Sequence, residues 1–222
     1  MPPSQKPRAP KPLAILFIGN SFTNRNDLPG ILERLALAAR PARKLKTDRV
    51  IANGMSLKTH WDRGIATKMI RDHRWDYVVL QDQSTMGLKN PARLEEYAAK
   101  FDGECREKGA KTALYMTWAR QDALARQKEI TAAYAEAARS TSALLIPVGV
   151  AWQKAMQLQP GIGLYDRDKS HPSPSGTYLA ACVLFVKLLG KTPVGLPSEG
   201  ISLSEAAVLQ RAAWESCTEI GA

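Results

Sequence analysis

Apolar residues fall in short dense runs along this chain, separated by longer stretches where apolar and polar positions recur with a helical period. Leu13 to Ile18 is one such run, and Tyr77-Val78-Val79-Leu80 is the clearest. Runs of roughly four to eight apolar, β-branched-rich residues bounded by Gly or polar clusters predict strands buried on both faces. Thr112 to Thr117 and Leu144 to Val148 read the same way, and Arg49 to Ala52 predicts a short strand before Asn53-Gly54. Helices are predicted between them. Asp27-Leu28-Pro29 opens one that runs to about Arg40, with Pro in its first turn and Leu32, Leu35 and Leu37 among its apolar positions. A polar helix spans Ile65 to Arg74, and a longer one runs from Arg93 to Lys108 with Gly109 as its C-cap. An Ala-rich helix covers Ala123 to Arg139, and an apolar one covers Gly176 to Leu189, stopped at Gly190. Strand and helix alternate throughout. That order predicts a three-layer α/β domain, with a parallel sheet covered by helices on both faces. Without an internal repeat or interdomain linker, residues 13–222 are expected to form one domain behind a basic, Pro-rich tail, residues 1–12.

Composition agrees with this picture. A chain of 222 residues with 45% hydrophobic content can bury a full core. No run approaches the roughly 20 apolar residues of a membrane span. The tail has no apolar segment followed by a small-residue cleavage site, so no signal peptide is expected. Cys105, Cys182 and Cys217 are odd in number and widely spaced, and neither they nor the three histidines show metal-ligand spacing. Reduced thiols, a cytoplasmic setting and no metal or other cofactor are therefore expected. The formal net charge of +10 invites a nucleic-acid reading, but its location argues otherwise. Lys6, Arg8 and Lys11 in the tail, with Arg40, Arg43, Lys44, Lys46 and Arg49 against Asp48 in one predicted loop, hold +7 of it. Neither segment interleaves aromatics with its cations, as a base-stacking platform would. Solvated surface is expected, with no nucleic-acid partner.

Candidate chemistry lies where the predicted strands end. Ile15-Leu16-Phe17-Ile18-Gly19 stops at a glycine, and Ser21 follows two positions later. Gly54, the Gln81–Ser84 segment and Trp118 also follow strands, so they gather on the sheet edge where open α/β folds bind ligands. Asp168-Lys169-Ser170-His171-Pro172-Ser173 precedes the last predicted helix and can fold over the same edge. A serine hydroxyl needs a base to become a nucleophile, and a histidine base needs a carboxylate to fix its tautomer. Ser21, His171 and Asp168 supply these types. Each also has a plainer reading. Ser21 alone could cap a helix, and His171-Pro172 could be a turn before a helix capped by Ser173 or Ser175. His60, close to Asp62, competes as a base but fits pocket lining or a structural hydrogen bond better. His73 sits among charges and reads as solvated, and Asn53 can serve turn geometry only. Trp118 could line an acyl or sugar pocket or pack in the core. Asp82 could support the site or lie on the surface.

At these residues the chain resembles the SGNH (GDSL-type) hydrolases. Gly19-Asn20-Ser21-Phe22 is similar to their first block and Asp168-x-x-His171 to their last, and Gly54 falls where the second block has its glycine. The resemblance runs from about residue 13 to about residue 189. It implies a flavodoxin-like α/β/α sandwich and ester hydrolysis through an acyl-serine. It also implies Ser21 as nucleophile, His171 as base, Asp168 as its orienting partner, and an oxyanion hole from the N–H groups of Ser21 and Gly54 plus a side-chain amide. The fourth block departs from the family's usual Gly-x-Asn-Asp, reading Leu80-Gln81-Asp82-Gln83-Ser84. Aligned to carbohydrate-esterase branches that carry Gln-Gly-Glu-Ser, Gln81 supplies the amide; aligned to the commoner branch, Gln83 does. The first alignment is preferred. The implied function is a cofactor-independent serine esterase acting on a small acyl ester, an O-acetyl group on a carbohydrate being the first candidate. A lipid or thioester hydrolase, or a binding protein that uses the fold without turnover, remains the alternative. The sequence leaves the oligomeric state open.

Overall fold

The computed structural model describes residues 11–219. The expected tail therefore lies almost wholly outside the described residues. From the N-terminal side the elements are β1 (Leu13–Gly19), α1 (Ser21–Asn24), α2 (Leu28–Ala38), β2 (Leu45–Ile51), α3 (Leu57–Arg63), α4 (Ile65–Asp72) and β3 (Tyr77–Leu80). The chain continues with α5 (Met86–Lys89), α6 (Pro91–Glu107), β4 (Lys111–Tyr115), α7 (Gln127–Thr141), β5 (Leu144–Ile146), α8 (Val148–Leu158), α9 (Pro174–Leu189) and α10 (Leu203–Glu219).

The five strands form one parallel sheet in the order β2-β1-β3-β4-β5. Alternate residues of each strand enter opposite cores, which is why the inner strands read as unbroken apolar runs. Ile15, Phe17, Val79, Ala113, Tyr115 and Ile146 pack under α2, α8, α9 and α10. Leu16, Ile18, Val78, Leu80, Leu114 and Met116 pack under α3, α4, α6 and α7. The result is the expected three-layer α/β/α sandwich with a flavodoxin-like strand order. In that order the chain reverses its direction of travel across the sheet between β1 and β3, and the crevice beyond their C-terminal ends is where such folds bind ligands.

The strands and helices differ from expectation at a few places, each with a physical reason. β2 begins at Leu45, so half of the predicted basic loop is strand. It pairs on one side only, with β1 from Leu13↔Leu45 to Gly19↔Ile51. An edge strand tolerates Lys46, Asp48 and Arg49 because charge there discourages pairing with another chain. α3 is a helix the apolar pattern does not reveal; Ser56 caps it by accepting from Thr59 N, and Gly64 ends it at φ +71°. β5 stops at Ile146, and α8 takes over the apolar residues from Val148, with Val148, Ala151, Trp152 and Ala155 buried at helical spacing. α10 likewise buries Ala206, Leu209 and Ala213 on one side.

Candidate active site

The turn after β1 is built around Gly19 and Asn20. A Cβ on Gly19 would lie 2.6 Å from Thr23 Oγ1 and 2.7 Å from Gln81 Oε1, so only glycine lets these groups close on the backbone. Asn20, not Ser21, caps α1: its Oδ1 accepts from Phe22 N at 3.0 Å while its Nδ2 donates to Met55 O at 3.0 Å. The Ser21 hydroxyl is thereby released from capping. It lies 2.8 Å from His171 Nε2.

The histidine is carried by a loop closed on itself between α8 and α9. Asp166 N donates to His171 O at 2.8 Å and Ser173 N to Leu164 O at 2.9 Å, while Ser173 Oγ caps α9. Inside the loop Asp168 Oδ1 accepts from the N–H groups of Ser170 and His171, both at 2.9 Å, and Oδ2 meets His171 Nδ1 at 2.5 Å. Partial desolvation opposes ionisation of Asp168. The hydrogen bonds from the His171 ring and from the His171 and Ser170 backbone outweigh it and hold the carboxyl well below the usual carboxylate range. With Nδ1–H donated to this carboxylate, Nε2 is left as an acceptor for the Ser21 proton. The imidazole leans on Phe22, centroids 5.1 Å apart, and Phe22 stacks on Trp118 at 4.9 Å.

Trp118 packs in the core and also borders a cleft. It is 2% exposed and stacks face to face on Trp152 at 3.8 Å, yet it also walls a cleft of about 260 Å³ that Ser170 borders. Its Nε1 donates to Ser170 O at 3.0 Å, bracing the residue before His171. Gly54 sits exposed at the third position of the Ala52–Met55 turn with φ +71°, where a side chain would be strained.

The two glutamines separate clearly. Gln81 is fully buried, and its Oε1 accepts from Asn20 N at 3.0 Å and Thr23 Oγ1 at 2.9 Å. Because Asn20 N–H can only donate, that atom must be the oxygen, and the amide nitrogen is turned to the Asp82 carbonyl. The amide preferred from sequence thus fastens the turn from behind. Gln83 is half-buried; its Oε1 accepts from Thr85 N at 2.9 Å and Thr85 Oγ1 at 2.8 Å, which leaves its NH₂ facing away from those donors.

Two further buried groups brace the same turn. His60 is 2% exposed and its Nε2 lies 2.9 Å from Gly19 O. Burial pushes its pKa down, and because a carbonyl oxygen can only accept, Nε2–H donates to it. Asp82 is buried at the end of β3; its Oδ1 accepts from Leu57 N at 2.9 Å and Gln83 N at 2.7 Å, tying β3 to α3. Burial pushes its carboxyl up to about 6. His73 is exposed. Among the described residues no cluster of three or more His, Cys, Asp or Glu is placed to hold a metal ion.

No protein-family model and no curated protein matches the chain by sequence. Solved structures do match by shape. A protein from Slackia heliotrinireducens described as an SGNH hydrolase is 25% identical, with TM-score 0.70 over 80% of this chain and 100% of its own. A DUF4886 family protein from Bacteroides uniformis is 21% identical, with TM-score 0.78 over 94% of this chain and 95% of its own. The acetylxylan esterase Axe2 from Geobacillus stearothermophilus is 15% identical, with TM-score 0.59 over 86% of this chain and 95% of its own.

Proposed function

We propose that this chain, a member of the SGNH/GDSL-type hydrolase superfamily by its fold, is a serine esterase that works through an acyl-serine intermediate. The observation that carries the reading is the Ser21 Oγ–His171 Nε2 contact at 2.8 Å, with Nδ1 of the same ring on Asp168. His171 removes the hydroxyl proton as Ser21 Oγ bonds to the ester carbonyl carbon. The tetrahedral intermediate then collapses, and His171 gives the proton to the departing alcohol oxygen. Water, deprotonated by the same ring, attacks the acyl-serine and frees the acid, returning the proton to Ser21. Asp168, held ionised by its loop, fixes the tautomer and stabilises the transient imidazolium.

Charge on the carbonyl oxygen is met by the N–H groups of Ser21 and Gly54 and by the Gln83 amide. Ser21 is at the first position of α1, where an N–H has no intrahelical acceptor. Gln83 replaces Gln81 in this role because only its NH₂ is uncommitted. Each donor of this kind contributes on the order of 3 kcal/mol to the transition state. An O-acetyl group on a carbohydrate is the substrate favoured. The shape shared with an acetylxylan esterase supports it; with Gln83 as the donor, the Gln81-Asp82-Gln83-Ser84 segment follows the commoner branch and adds nothing to that choice. No described helix is long and apolar enough to cross a membrane. The three cysteines are buried free thiols, which favours a reducing, cytoplasmic setting.

Hydrolysis of p-nitrophenyl acetate and of acetylated xylan tests this reading. Ser21→Ala should abolish turnover with an unchanged circular dichroism spectrum, and Asp168→Asn should lower kcat by about 10³–10⁴-fold. Undiminished hydrolysis by Ser21→Ala would remove the serine from the mechanism.

A further inference from the structure

The cleft beside the histidine loop has two kinds of wall. Leu88, Trp118 and Ile130 give it an apolar floor, whereas Lys89, Arg120 and Arg126 stand among the residues around it, and no carboxylate lines it. The three cations are unequally engaged. Arg126 is held by both Glu129 oxygens, through Nε at 2.5 Å and a terminal nitrogen at 2.8 Å. Arg120 meets Asp122 at 3.3 Å and donates to the Asp168 carbonyl at 3.2 Å. Lys89, exposed at the end of α5, has no ion pair among the described residues.

This wall and the histidine loop are fastened together. Besides the Arg120 bond to Asp168 O, Gln121 N donates to Lys169 O at 2.9 Å and Trp118 Nε1 to Ser170 O at 3.0 Å. A group lodged in the cleft is thus placed against the loop that carries His171, the residue that would protonate the departing alcohol.

From this juxtaposition we infer that the cleft selects esters whose alcohol part bears an anion, a carboxylate or sulfate, set against Lys89 and Arg120 with its ring against Leu88 beside the edge of Trp118. A uronic-acid or sulfated sugar has that chemistry. The inference rests on the esterase reading for its catalytic meaning, but the binding step can be tested without turnover. Apolar walls alone would accept a neutral ring equally well, so the cations carry the selectivity.

The probes are 4-acetoxybenzoate and its neutral methyl ester; the methyl ester releases the more acidic phenol, so each kcat/KM is taken relative to that ester's uncatalysed hydrolysis in the same buffer. The ratio of kcat/KM, anionic over neutral, should exceed one at low salt and fall as salt screens the pair. In Lys89→Ala the ratio should drop about three- to fivefold, and in Lys89→Glu it should fall below one. Equal kcat/KM for the two esters in the wild type, or a ratio untouched by Lys89→Glu, would overturn the inference while leaving the esterase reading intact. Binding of 4-hydroxybenzoate to Ser21→Ala, followed through the Trp118 indole N–H resonance, separates the two claims. If neither ester is cleaved but that resonance still shifts, and Lys89→Glu abolishes the shift, the anion site stands and the esterase reading falls. No shift and no cleavage would sink both.

Discussion

A buried amide engaged at both ends can hold a turn but cannot donate into a cleft, and Gln81 is in that state. Replacing it with Leu leaves Asn20 N–H without its acceptor inside the core, a loss of about 1–3 kcal/mol. The variant should melt lower and lose activity together. Gln83→Ala should instead keep the melting temperature and lower kcat by about 10²–10³-fold, as loss of one oxyanion donor does. Thermal melts beside kinetics distinguish the two, and the reverse pattern would restore Gln81 as the donor. Asp82 allows a second test at this scale. Its folded pKa of about 6 lies above its usual 3.8, so the folded state binds more protons between those values, and stability from this group is lost as pH rises through 6. Asn keeps the acceptor oxygen used by Leu57 and Gln83 N–H without the buried charge. The advantage of Asp82→Asn over wild type in denaturant unfolding should therefore grow by up to about 3 kcal/mol from pH 4 to pH 8; a pH-independent difference would contradict it. The sequence reading picked out Ser21, Asp168 and His171 because a glycine-ended strand and a tight Asp-x-x-His loop are local patterns. Gln81 and Gln83 could not be told apart that way. Both stand at the end of a strand covered on both faces, so nothing in their spacing says which amide turns inward.

Among elements, the turn from β1 into α1 depends on what approaches Gly19. An added methyl would meet Thr23 Oγ1 and Gln81 Oε1 well inside contact distance. Gly19→Ala should cost about 1–3 kcal/mol through overpacking and lose most activity, because relief requires moving the residues that hold Ser21. An unchanged melting temperature would mean the turn is looser than this geometry. The elements legible in the sequence were those with a single signal. β3 reads as four apolar residues and is four residues long, and α9 runs to its Gly190 cap. α3 was missed because its seven residues bury only Leu57 and His60, although Ser56 and Gly64 mark its two ends. α8 was masked by β5, since the apolar run crosses the strand end at Ile146 without a polar break. β2 was cut short because an edge strand carries charge where an inner strand cannot.

For the whole molecule, the strand order β2-β1-β3-β4-β5 determines where chemistry can happen. β1 and β3 end side by side, which brings the turn of Ser21 next to Gln81–Gln83, while the loop before α9 lays His171 over Ser21 from 150 residues away in sequence. That convergence followed from alternation alone, but the contacts needed side chains. The stack Trp152, Trp118, Phe22, His171 joins the core under α8 to the His171 ring, and no sequence spacing announces it. The most direct test of the central claim is the intact mass of the protein after incubation with a fluorophosphonate, wild type beside Ser21→Ala. A single adduct on the wild type and none on the variant is the expected result. No adduct on either, or an adduct that persists in Ser21→Ala, would contradict an activated Ser21.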